Sequence, residues 1–147
     1  MGAAVVVIDA SLVTRTIISV CCRRIDTTCQ TFPDGESALQ AMRDSTQDPP
    51  RVVVLELALP SIKGLDVVRL LRSSRRYDRT AIVILSSHDD LVHRFLARVA
   101  GAEWFVSKPF TRGIVVPLIM KCLTRDTERP AETRRSIGGW HEHAVSS

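Results

Sequence analysis

Short runs of aliphatic and β-branched residues alternate five times with segments whose apolar residues recur at helical spacing. The runs lie at 3–9, 26–32, 51–56, 81–86 and 103–107. The first, third and fourth are almost continuously apolar, as expected of strands covered on both faces in a parallel sheet. The second, Asp26-Thr27-Thr28-Cys29-Gln30-Thr31-Phe32, is more polar and suits an edge.

Five helical segments follow these runs. Residues 12–24 carry Val13, Ile17, Val20, Cys21 and Arg24, with the apolar members at helical spacing. Residues 34–44 place Ala38, Leu39 and Met42 together, with Asp34 as N-cap. Residues 65–75 turn Leu65, Val68 and Leu71 inward, and 89–100 group Leu91, Val92, Phe95, Leu96 and Val99. The fifth segment runs from 111 to 124. Repeated βα units predict a parallel sheet with right-handed crossovers and helices on both faces. Pro33-Asp34-Gly35, Asp48-Pro49-Pro50 and Pro60-Ser61-Ile62-Lys63-Gly64 supply turn chemistry at the joints.

A chain of 147 residues is one ordinary domain, and 45% hydrophobic with 24% charged residues is a normal globular balance. No apolar run reaches the roughly 18 residues of a membrane span. The N-terminus lacks the basic region and cleavage pattern of a secretory signal, so a cytoplasmic location is expected. Cys21, Cys22, Cys29 and Cys122 lack zinc-site spacing and read as reduced thiols packing as small hydrophobes. The net charge of +4 raises the question of nucleic acid. The densest basic cluster, Arg72, Arg75, Arg76 and Arg79, has no aromatic platform and reads as a solvated face, so no direct nucleic-acid contact is expected.

From about 125 the composition turns to Thr, Arg, Glu, Pro and Ser. Residues 125–147 therefore read as a flexible tail, with too little apolar surface to fold alone. Trp140 is its candidate partner contact; His141 and His143 alone do not make a metal site.

The chemistry gathers at strand ends. Asp9 closes the first run, Glu56 the third, and Lys108 follows the fifth. Ligands of open α/β sheets sit beyond the carboxyl ends of the strands, so two carboxylates and an ammonium converge on one ionic site there. Ser86-Ser87 and the loop led by Pro60 join them.

Five features occur in a fixed order: Asp9 after strand one, Glu56-Leu57-Ala58-Leu59-Pro60-x-x-x-Gly64, Leu85-Ser86-Ser87, Gly101-Ala102 and Lys108-Pro109-Phe110. With them the chain resembles the receiver domain of two-component response regulators, from residue 3 to about 124. The resemblance implies a flavodoxin-like (βα)5 three-layer sandwich with a five-stranded parallel sheet in the order 2-1-3-4-5, and a domain over 1–124. It also implies roles. Position 56 is the phosphoacceptor equivalent, an aspartate in active members that takes a phosphoryl group from a sensor kinase. Positions 9, 10 and 56 form the acid pocket that holds Mg²⁺. Ser86 and Lys108 bind phosphoryl oxygens, and Phe105 is the switch aromatic.

Two positions depart from that pattern: Glu56 replaces the aspartate and Ala10 replaces an acid. Mg²⁺ demands near-ideal octahedral oxygen geometry, so a site left with Asp9 and Glu56 should be weak or absent. Phosphoryl transfer depends on positioning, which one extra methylene disturbs. The expectation is an atypical, stand-alone pseudo-receiver of a phosphorelay, with no catalytic residue of its own and no cofactor beyond weak Mg²⁺. Glu56 would serve as a built-in charge, bonded to Ser86 and Lys108, or as a plain buried ion pair with Lys108.

Output should pass through the face of helix four, strand five and helix five, to a sensor kinase, an output protein or a second copy. Helix five is apolar beyond one buried face, and Pro117 should kink it or shift its start. Since the fold uses the chain to about 124, no attached DNA-binding domain is expected. An alternative is a haloacid-dehalogenase-like phosphohydrolase with Asp9 as nucleophile beside Ser86 and Lys108, although Ser11 stands where that chemistry needs a second acid. A nucleotide or flavin binder would need a Gly-rich loop where Asp9-Ala10-Ser11-Leu12 stands.

Overall fold

Alternate residues of each central strand feed two apolar cores on opposite faces of a single sheet. In the computed structural model, which describes residues 2–125 and 141–143, the strands are β1 (Val5–Ile8), β2 (Cys29–Phe32), β3 (Val52–Leu55), β4 (Ala81–Ser86), β5 (Trp104–Ser107) and β6 (His141–His143). The helices are α1 (Leu12–Arg24), α2 (Gly35–Met42), α3 (Gly64–Arg72), α4 (Leu91–Ala100) and α5 (Arg112–Arg125). A single 3-10 turn spans Arg75–Tyr77.

One core joins Val6, Ile8, Val53, Leu55, Ile82, Ile84 and Phe105 to residues of α2, α3 and α4. The other joins Val5, Val7, Val52, Val54, Val83, Trp104 and Val106 to α1 and α5. This is the expected three-layer sandwich. All strand pairs are parallel, and the order β2-β1-β3-β4-β5 matches the expectation. The sheet goes one strand further: β6 pairs with β5 in the register Trp104↔His141 to Val106↔His143. Those three residues fall in the segment read as a flexible tail. Trp140 and the rest of 126–147 lie outside the described residues.

Local signals hold where they are specific. Asp34 caps α2 by accepting from the Ser37 amide at 2.7 Å. Ala38, Leu39 and Met42 are buried as expected. Helix α5 starts at Arg112 and runs through Pro117, so the proline does not move its start. The helix ladder lacks one donor at that position.

In two helices the apolar residues grouped by periodicity are not the ones that face the core. In α1 the buried residues are Thr14, Ile18, Cys21 and Cys22, while Val13 faces solvent. In α4 the apolar stripe points outward: Leu91, Val92, Phe95 and Val99 are exposed, and Arg94 and Ala97 are buried instead. The small Ala97 admits a close approach to the sheet, and Arg94 finds polar partners there. Of the basic cluster, Arg72 and Arg76 are structural. Arg72 bonds the carbonyls of Gly101 and Tyr77 and pairs with Glu103. Arg76 bonds the carbonyls of Asp44 and Gln47. No helix among the described residues is long and apolar enough to cross a membrane.

Candidate functional site

The sheet register builds the site. Ile8 pairs with Leu55, so the next residues, Asp9 and Glu56, leave adjacent strands side by side. Their amides stay in the ladder, Asp9 donating to the Phe32 carbonyl and Glu56 to the Ile8 carbonyl, each at 3.0 Å. Ser86 pairs with Ser107, and the Lys108 amide donates to the Ser86 carbonyl at 2.9 Å. Backbone hydrogen bonds thus bring the side chains of 9, 56, 86 and 108 to one edge.

The loop after β3 is held tight against Glu56. The Gly64 amide donates to the Leu57 carbonyl at 2.9 Å, and the Ile62 amide to the Pro60 carbonyl at 2.8 Å. A Cβ on Gly64 would stand 2.4 Å from the Glu56 carbonyl oxygen, which explains the glycine four residues after Pro60. The Lys108-Pro109 peptide bond is cis.

Asp9 and Glu56 are buried, as is Ser86. Asp9 uses both carboxylate oxygens: Oδ1 accepts from the Ser11 amide at 2.8 Å and Oδ2 from Lys108 Nζ at 2.7 Å. Lys108 lies 4.0 Å from Glu56 Oε2, so its short bond goes to Asp9 and not to Glu56 as expected. Glu56 Oε2 is buried with no hydrogen-bond partner. Burial pushes the Glu56 carboxyl above its ordinary range, against the opposing pull of the Lys108 ammonium and the Ser86 hydroxyl; Asp9 adds to the rise. Ala10 is exposed and offers no oxygen from its side chain.

A second polar group, which sequence reasoning missed, lies behind Ser86. The Arg94 guanidinium pairs with Asp89, donates to Ser107 Oγ at 3.1 Å and stacks 4.7 Å from the centroid of the Phe105 ring. The Ser107 hydroxyl also donates to Asp89. Phe105, the expected switch aromatic, is fully buried beneath this cation. The Arg94 and Ser107 contacts hold the Asp89 carboxyl below its ordinary range. A sequence signal existed: Arg94 and Ala97 share a helix face that carries no large apolar residue. Arg15, also overlooked, donates to the Asp9 carbonyl at 2.7 Å.

A family model described as the response regulator receiver domain matches residues 5–119. The chain belongs to this family. Among curated relatives, this receiver is 31% identical over 135 residues to the alkaline phosphatase synthesis transcriptional regulatory protein SphR of Synechococcus elongatus, covering 88% of the chain and 52% of the relative. It is 36% identical over 99 residues to the DNA-binding response regulator MtrA of Mycolicibacterium smegmatis, covering 67% of the chain and 41% of the relative. The chain thus spans about half the length of these relatives. Among solved structures, the BeF3-activated DrrB receiver domain matches with a TM-score of 0.74 at 25% identity, over 85% of this chain and all of that one. A putative response regulator from Chloroflexus aurantiacus matches with a TM-score of 0.75 at 20% identity, over 85% of this chain and 100% of its own, which speaks for the fold alone.

The family match leaves the phosphohydrolase alternative without support. Both oxygens of its would-be nucleophile, Asp9, are already bonded, and Ser11 caps α1 by accepting from the Thr14 amide.

Proposed function

We propose that this receiver signals through protein contacts without ordinary phosphorylation, with Glu56 as a fixed charge where an acceptor aspartate would stand. The observation that carries the reading is Glu56 itself: buried, 6% exposed, and 4.0 Å from a lysine already bonded to Asp9. The ionic contacts that a phosphoryl group would organise are in part already made.

Magnesium belongs to the same reading. The donors that remain are an Asp9 with both oxygens engaged and a single free oxygen of Glu56, while Ala10 contributes none. A small cation that needs near-octahedral oxygen ligation fits this set poorly. Output would pass through the exposed apolar residues of α4 (Leu91, Val92, Phe95, Val99) together with Met120 of α5. An apolar patch of this kind suits a sensor kinase, an output protein or a second copy.

The test is labelling by acetyl phosphate with Mg²⁺. Wild type should stay unlabelled, and Ala10→Asp combined with Glu56→Asp should take up phosphoryl on residue 56. Equal labelling of wild type would overturn the proposal.

A further inference from the structure

Cys22 and Cys29 are separated by one tight turn and return to contact. Helix α1 ends at Arg24, and the Cys22 carbonyl accepts from both the Ile25 and Thr27 amides, at 3.1 and 2.9 Å. Asp26, between them, has a φ of 54°. The chain then enters β2 at Cys29, in register with Val5. Val5 and Cys22 belong to one core cluster, against which Cys29 packs. The two side chains meet there.

The pair is asymmetric. Cys22 is fully buried, whereas Cys29, on the edge strand, is partly exposed. The contact with Cys22 draws the Cys29 thiol below its ordinary range, and the same contact with burial pushes Cys22 up. An accessible sulfur whose thiol is drawn below its ordinary range, beside a buried thiol that can resolve it, is the arrangement that hydroperoxides oxidise. Cys21 and Cys122 are buried and lack that access.

We propose that Cys22 and Cys29 form a hydroperoxide-sensitive dithiol that closes to a disulfide stapling α1 to β2. The Cys29 thiolate attacks the peroxide, forming an S–O bond and breaking O–O; the leaving oxygen takes a proton and departs as water. The Cys22 sulfur then attacks the Cys29 sulfenic acid, forming S–S, and the hydroxyl leaves as a second water with the Cys22 proton. Two thiols lose two electrons to the peroxide, which is the only oxidant required.

Trypsin tests this directly, because Arg23 and Arg24 lie between the two cysteines. The reduced full-length chain is treated with hydrogen peroxide, blocked with N-ethylmaleimide, digested and mapped by mass spectrometry. The expected product joins the peptide of residues 16–23 to that of 25–43, two hydrogens lighter than their sum apart from the N-ethylmaleimide carried by Cys21. Cys21→Ala should keep the link. Cys22→Ala should lose it and leave Cys29 as a sulfinic acid. Should that core variant fail to fold, Cys29→Ala should leave the 16–23 peptide reduced. Sulfinic acid on Cys29 of wild type without a link, a link through Cys21 or Cys122, or equal linkage in guanidinium-unfolded chain would overturn the proposal.

Discussion

The Lys108 ammonium donates to Asp9 Oδ2 at 2.7 Å across a sequence separation of 99 residues. The same ammonium is 4.0 Å from Glu56, so one cation serves two carboxylates that leave adjacent strands. The bond to Asp9 ties the end of β5 to the end of β1, two strands that are not neighbours in the sheet.

Removing that cation should be costly. Lys108→Met leaves Asp9, whose side chain is 4% exposed, as a buried charge without its counterion. Breaking one side of such a pair costs about 3–5 kcal/mol. Urea denaturation should show the loss at neutral pH. A loss no larger than that of an exposed ion pair, about 0.5 kcal/mol, would mean that water already screens the site.

Glu56 gives a pH signature of defined sign. Burial raises its carboxyl above the ordinary 4.5, so the folded chain holds that proton more tightly than the unfolded chain. The associated stability is complete below 4.5 and is lost as pH rises through the folded value. Wild type should therefore lose stability relative to Glu56→Gln as pH climbs above that point, with the difference levelling off once Glu56 is ionised. Paired denaturation curves across this range read the slope. A difference that grows in favour of wild type would show that Lys108 and Ser86 outweigh burial.

Arg94 should act as a clamp between α4 and β5. Arg94→Met keeps the stem over Phe105 but removes the guanidinium that bonds Asp89 and Ser107, leaving only the Ser107–Asp89 bond. Loss of charge-assisted hydrogen bonds at a buried position costs about 2 kcal/mol. Hydrogen exchange should quicken in residues 86–94 more than in β1 or β3. The Asp89 carboxyl, now held below its ordinary 3.8, supplies stability present above that value and lost as pH falls. The variant should show less of this acid-side loss, because only the Ser107 bond remains.

The outward stripe of α4 offers the opposite behaviour. Phe95 is 65% exposed and Val92 63%, so Phe95→Glu and Val92→Lys should leave stability within about 0.5 kcal/mol. Sedimentation velocity should show a smaller apparent mass for the variants if a second copy covers the stripe, and weaker kinase or output binding if a protein partner does. Unchanged mass and unchanged partner affinity would remove α4 from the interface.

Much of this molecule was legible before any coordinates. The continuous runs at Val5–Ile8 and Val52–Leu55 marked strands buried on both faces, and the more polar Cys29–Phe32 marked the edge. Asp34 announced its helix, and Pro60 with Gly64 announced the tight loop against Glu56. These are local matters of dihedral preference, capping and alternation, which a few neighbouring residues settle. Asp9, Glu56, Ser86 and Lys108 were legible as a group because parallel strands all point their carboxyl ends one way.

Tertiary structure decided what no window of sequence contains. Periodicity showed that α4 has an apolar face, but only the positions of Asp89, Ser107 and Phe105 turned Arg94 inward and left Phe95 in solvent. The buried α1 stripe falls on Thr14 and Ile18 rather than on Val13 and Ile17. The sequence determined that an ammonium would meet two carboxylates. Which carboxylate it bonds depends on ångström-scale differences in register and side-chain length between distant strands, and these came down in favour of Asp9.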